Sequence, residues 1–134
     1  MSLSESLVAL AIMAITMAAS VPSLIRTREV YALHSAARMV ESRMQSAKIR
    51  AVTRNQDCRI NVTSSASYVV ECQGMSWTTI ESVSMPPGIT VTASARPEFH
   101  ARGNVAPTGT LTVWDKTGMN IRVIVNVNGR IRLQ

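Results

Sequence analysis

The sequence predicts an α+β protein in which one long N-terminal helix, half transmembrane stem and half amphipathic, packs on an antiparallel β-sheet domain. Three observations lead there. Residues Ser6 to Ile25 form a run of 20 without a charge, apolar residues then recur at helical spacing as far as Ala51, and from Asp57 the period falls to two. The 134 residues suffice for one domain. Charged residues make up 16%, below the roughly 25% of a soluble domain, and mean hydropathy is positive.

The apolar run explains that average. At about 1.5 Å per residue, a helix of this length crosses a hydrocarbon core of roughly 30 Å. A cleaved signal peptide fits poorly, because such a segment has a positive start and a short apolar core, whereas the early charge here is the acid Glu5. A carboxylate in an apolar helix is costly and marks a functional position. Residues 1–25 are therefore expected to be a retained stem.

Pro22 should kink the helix without ending it, because apolar Leu24 and Ile25 follow. Val30, Leu33, Ala37, Val40, Met44, Ala47 and Ala51 then recur at alternating spacings of three and four, an amphipathic helix over 26–54. Seven bases and two acids lie in that stretch, so it carries most of the formal net charge of +6. A solvated helix face accounts for them.

In the β-rich region, 57–134, Cys58, Ile60 and Val62 alternate with polar residues, and Tyr68, Val70 and Cys72 answer them after a polar stretch, Thr63 to Ser67. A hairpin centred on Ser65 pairs Val62 with Tyr68, Ile60 with Val70 and Cys58 with Cys72 on one face, and sets Arg59 opposite Glu71 on the other. One register thus satisfies an apolar ladder, an opposite-charge pair and both cysteines of the chain. It predicts a Cys58–Cys72 disulfide at a non-hydrogen-bonded pair, and with it an oxidising compartment. Neither His34 nor His100 has ligand spacing to the cysteines, so no zinc site is expected there and no cofactor is called for.

Further strands are expected at Trp77–Ser84, Ile89–Ala93, Thr110–Asp115, Met119–Val127 and Arg130–Leu133, with turns at Pro86–Gly88, Lys116–Gly118 and a two-residue Asn128–Gly129 turn. Leu111, Val113, Ile121, Val123, Val125, Val127, Ile131 and Leu133 should point inward. Residues 94–109 read as a connecting loop. The chain has no Gly-rich phosphate loop, metal-ligand cluster or Ser/His/Asp constellation, so it does not read as an enzyme.

These residues resemble the type IV pilin-like proteins, and more narrowly the FimT/GspH class of minor pilins and type II secretion pseudopilins. Leu3, Glu5, the apolar run and Pro22 are similar to the mature pilin stem, whose first residue is usually an N-methylated phenylalanine where this chain has Met1. Ser46 to Asn55 resembles the class's small and basic helix end with its Arg-Asn turn. Phe99 to Gly103 resembles its Phe-x-x-x-Gly element, and Gly129-Arg130-Ile131-Arg132 its Gly-Arg-x-Arg ending. The resemblance implies a pilin fold and a periplasmic or extracellular globular domain over 26–134. It implies a non-enzymatic filament subunit that assembles through Met1, Glu5 and Pro22. Its partners would be other pilin subunits, a prepilin peptidase and an inner-membrane assembly platform. The subunit would sit in the inner membrane before assembly and in an extracellular filament afterwards. A GspH-like pseudopilin of type II secretion is the alternative. Glu5 has a physical rationale in such an assembly: an amine of one subunit meeting the carboxylate of the next fixes axial register.

Arg130 and Arg132 flank one residue, which places them on one face about 6.6–6.8 Å apart, near the phosphate spacing of a nucleic acid strand. From Lys116 to Gln134 there are bases and no acid, and Arg102 is a candidate to join them. The class resemblance adds double-stranded DNA as a ligand for Arg102, Lys116, Arg130 and Arg132. An edge strand blunted with charge explains the same arginines without a ligand. With aromatic residues at 4%, base stacking is not the expected mode.

Overall fold

The computed structural model describes residues 2–134. Helix α1 runs Leu3–Arg54 without a break at Pro22, which lies inside it. Asn55, at φ 50°, then takes the left-handed conformation that ends many helices, and the Gln56 N–H returns to the Ala51 carbonyl. The Arg-Asn turn expected from the sequence is thus a helix C-cap.

The chain divides into two compact units, residues up to Tyr31 and Ala32–Gln134. In the first, every described residue from Ser2 to Glu29 is exposed. Four of its hydroxyls bond to the preceding turns of the helix itself: Thr16 to the Ile12 carbonyl, Ser20 to that of Thr16, Ser23 to that of Ser20 and Thr27 to that of Ser23, all at 2.8–3.0 Å. The helix is long and apolar enough to cross a membrane.

In the second unit the helix stripe Leu33, Ala36, Ala37, Val40, Met44, Ala47 and Ala51 is buried and belongs to one core with residues of two four-stranded antiparallel sheets. Four of the seven buried positions are alanine, and every expected seam position except half-buried Val30 is fully covered. The first sheet has strand order β3-β2-β1-β5, from β1 Cys58–Ser64, β2 Ser67–Gln73, β3 Trp77–Ser84 and β5 Glu98–Phe99. The second has order β4-β6-β7-β8, from β4 Thr90–Ala93, β6 Thr110–Trp114, β7 Asn120–Val125 and β8 Ile131–Leu133.

The β1–β2 register is the expected one: Cys58 opposite Cys72, Arg59 opposite Glu71, Ile60 opposite Val70, Val62 opposite Tyr68. The turn is shorter than expected, because the strands continue to Ser64 and Ser67 around Ser65–Ala66, and a bulge after Val62 absorbs the extra residue.

Three expectations need correction. Residues 94–109 are not a bare loop: β5 pairs with β1, Phe99 bridges to Val105, and Pro97, Phe99 and Val105 are all buried. Val127 and Leu133 do not point inward; they are 61% and 37% exposed, because β7 stops at Val125 and the pairing of β8 ends at Leu133. Asn128–Gly129 does not form a two-residue turn either. The Gly129 N–H bonds to the Asn126 carbonyl, the Asn126 N–H to that of Arg130, and only Gly129 has positive φ, at 70°. This is a three-residue connection with glycine in the left-handed position.

Candidate functional site

Two regions hold the residues singled out in the sequence. At the start of the helix, Ser2 precedes the first turn and its N–H donates to Glu5 Oε2 at 3.0 Å. Ser-x-x-Glu at a helix start is the capping-box pattern, and its glutamate half is formed here, while the Ser2 hydroxyl turns to that of Ser4 at 2.7 Å. Glu5 therefore has a partner within its own chain, a role the assembly reading passed over. Met1 lies outside the described residues.

The second region is the outer face of the β4-β6-β7-β8 sheet. Leu111, Val113, Val123 and Val125 point into the core. The alternate residues face out: Thr110, Thr112, Arg122 and Ile124, with Arg132 directly opposite Ile124. Arg130 follows Asn126 across the same hairpin. Arg122, Arg130 and Arg132 thus share one exposed face, and among the described residues none of them enters an ion pair. Sequence reading named Arg130 and Arg132 but not Arg122. The two-residue periodicity of β7 carried that signal.

Arg102 is exposed, and its neighbour Gly103 packs against Gly129, the residue before Arg130: a Cβ at Gly129 would strike the Gly103 carbonyl oxygen and come within 2.9 Å of Lys48 Cε. Lys48 secures this corner by donating from Nζ to the Gly129 carbonyl at 2.9 Å. Two elements of the class resemblance, the glycine of Phe-x-x-x-Gly and the first glycine of Gly-Arg-x-Arg, therefore meet at one contact.

Lys116 is not part of this group. It sits in the β6–β7 turn, while Arg130 follows the β7–β8 turn, so the length of β7, six residues at about 3.4 Å each, separates them. There Lys116 covers Gly88 and shares its turn with Asp115. Desolvation pushes the Asp115 carboxyl upward, but bonds from Thr117, Met119 and Gly118 outweigh it and hold the group below its usual range. The acid-free stretch of sequence begins one residue after an anion.

Cys58 and Cys72 are bonded, with Cα atoms 4.0 Å apart. The Gln73 N–H donates to the Asp57 carbonyl, so the adjacent cysteine pair is a non-hydrogen-bonded one, where strands approach most closely. Arg59, opposite Glu71, donates Nε to its carboxylate at 2.6 Å and lies 4.0 Å over the Trp77 ring. Arg43 of the helix pairs with Glu81 at 3.0 Å. Beneath them the Tyr68 hydroxyl is buried without a hydrogen-bond partner, and burial pushes its phenol up to about 12.

Against known families, the sequence pattern of the family described as Type II transport protein GspH matches residues 36–129, more than half of the chain. The chain belongs to the GspH family. The match spans the helix stripe from Ala36, the disulfide hairpin and the second sheet as far as Gly129. Among curated proteins no match is found. Among solved structures, the GspH-family chain is similar to the minor pseudopilin EpsH of the type 2 secretion system of Vibrio cholerae, with a TM-score of 0.67 at 15% identity over 76% of this chain and 95% of that one. It is also similar to the type IV minor pilin FimU of Pseudomonas aeruginosa, with a TM-score of 0.64 at 16% identity over 76% and 92%. These likenesses establish the fold, an α+β arrangement of one long N-terminal helix with antiparallel sheets.

Proposed function

We propose that this GspH-family chain is a non-enzymatic subunit of a type IV pilus-like filament, held in the inner membrane by its stem before assembly and polymerising through the same stem afterwards. The observation that carries the reading is the exposed apolar helix start, with Glu5 its one charge before Arg26. So much bare apolar surface requires lipid or neighbouring helices around it. Met1, Glu5 and Pro22 are the assembly residues in this reading. The Ser2 N–H engages one oxygen of Glu5, and the carboxylate has capacity for a second donor from a neighbour. Glu5→Ala should leave the protein in the membrane fraction and reduce its share of sheared filaments at least about tenfold; undiminished incorporation would overturn the role of Glu5.

The finer part of the proposal is that Arg102, Arg122, Arg130 and Arg132 bind the backbone of double-stranded DNA during uptake. Three arginines on one acid-free sheet face, beside a fourth in the adjoining loop, suit phosphates. Binding of this kind is weak, sequence-independent and salt-sensitive. Replacing Arg130 and Arg132 together by alanine should lower low-salt affinity and flatten its salt dependence by about two phosphate contacts. Unchanged affinity would sink the DNA role and leave the filament role standing.

The second reading is a pseudopilin of a type II secretion system, favoured by the family match itself. Deleting the gene separates the two, since a pilus subunit affects surface filaments and a pseudopilin affects secretion of folded proteins.

A further inference from the structure

Away from the arginine face, three side chains from two segments distant in sequence converge where the helix hands over to the sheets. Asp57 lies three residues past the end of α1, Glu98 in β5 and His100 just beyond it. One donor atom from each can be chosen so that all lie within 4.8 Å of one another. His100 Nδ1 is 3.1 Å from Asp57 Oδ2 and 4.0 Å from Glu98 Oε1. The side chains are 23–31% exposed, sheltered but open to solvent on one side.

The orientation of the imidazole is set from outside the cluster. Its Nε2 lies 3.0 Å from the Ala106 carbonyl, which only accepts, so Nε2 carries a proton, and Nδ1 is turned toward the two carboxylates, where its hydrogen bond to Asp57 raises the histidine above its ordinary value. With a proton on Nδ1 the cluster is an ion pair; once a cation displaces that proton, the imidazole still gives its Nε2–H to a backbone carbonyl and turns a lone pair toward the space between the carboxylates, the arrangement of a metal ligand with its orienting partner. Asp57 is fixed in the same way, its Oδ1 accepting from the Ala101 N–H at 3.2 Å.

Charge points the same way. Glu98 stands directly across the strands from Arg59, the residue placed to neutralise it, but Arg59 is turned to Glu71 and Trp77. Among the described residues neither Asp57 nor Glu98 has any cationic partner except His100. Two carboxylates around one imidazole leave a surplus of negative charge that a divalent cation cancels.

We propose that Asp57, Glu98 and His100 form a binding site for a zinc-class divalent cation at the junction of the helix C-terminus and β5. One imidazole nitrogen and two carboxylate oxygens are a donor set for zinc, with a solvent water as fourth ligand. Bonds of about 2.0–2.1 Å in tetrahedral array set ligand atoms roughly 3.3 Å apart, and the 3.1 and 4.0 Å separations straddle that value. Calcium, which takes six to eight oxygens, is poorly served by this set. The bound ion would tie the start of β1 to the loop that carries Arg102 and Gly103, stiffening the corner on which Gly129 rests.

The test is a calorimetric titration of the full chain in detergent micelles at pH 8 with zinc chloride, and with calcium chloride in parallel. One zinc per chain is expected, weakened at least about tenfold by His100→Ala and by the isosteric Glu98→Gln. His34→Ala, which removes the other histidine, should leave it unchanged. Far-ultraviolet circular dichroism identifies any variant that fails to fold, and Glu98→Gln keeps the test decisive if His100→Ala does. Absence of saturable zinc binding would show that the cluster is an ion pair holding a proton, and would overturn the proposal. So would binding that survives both substitutions, or calcium binding as tightly as zinc.

Discussion

The two sheets share a core but treat their charges in opposite ways. In the β3-β2-β1-β5 sheet the cations are spoken for: Arg59 is closed between Glu71 and Trp77, Glu81 takes Arg43 from the helix, and the Cys58–Cys72 bond staples the central pair of strands. In the β4-β6-β7-β8 sheet the outer arginines stand in water without acids beside them. The difference teaches where stability and recognition reside. Charges satisfied by neighbours hold a structure together, while unsatisfied ones are free to meet something else.

Breaking the first sheet should therefore be far more damaging than altering the face of the second. The largest effect is expected from the disulfide: it joins cysteines at a sequence separation of 14, and replacing both by serine should cost about 3 kcal/mol in denaturant unfolding. A loss under about 1 kcal/mol would mean that the ladder alone holds the hairpin. Glu71→Gln comes next. It leaves Arg59 half-buried with a neutral partner and should cost about 1–2 kcal/mol in the same measurement.

Tyr68→Phe should act in the other direction. Removing a buried hydroxyl that has no partner is expected to stabilise by up to about 1 kcal/mol at neutral pH. The pH dependence has a definite sign. The folded phenol is raised to about 12 from its ordinary value of 10.0, so between those values the native state keeps its proton while the unfolded chain loses it. Stability contributed by this group is intact below pH 10 and falls between 10 and about 12, and unfolding midpoints of Tyr68→Phe should lack that fall. Smallest of all is Arg132→Ala, expected to change stability by no more than about 0.5 kcal/mol. A loss as large as that of Glu71→Gln would erase the contrast between the sheets.

The β1–β2 register was legible because three independent constraints converged on it, and the helix stripe because its period persisted through seven positions. Strand β5 was illegible: it has two residues, and it owes its existence to pairing with β1 some 40 positions earlier in the chain. Lys116 was grouped with the arginines because a sequence window ignores the reversal of a hairpin, which sends adjacent segments to opposite ends of a sheet. The Asp57–Glu98–His100 cluster was not read because Asp57 meets the neighbouring Glu98 and His100 only through the fold. The Ser2–Glu5 cap did carry a recognisable signature, obscured by the weight given to Glu5 as an intermolecular group.

The hydroxyls of the stem have one more consequence. Thr16, Ser20, Ser23 and Thr27 each return their proton to a carbonyl of their own helix, so none requests a partner from its surroundings. The stretch from Thr16 to Thr27, whose hydroxyls are self-contained, presents the same chemistry to any apolar medium. Passage from acyl chains to the flanks of other helices would exchange one set of dispersion contacts for another and leave the hydrogen-bond inventory unchanged. That stretch is thereby solvent-neutral, which leaves Glu5 as the one charged side chain of the stem whose polar cost changes on transfer.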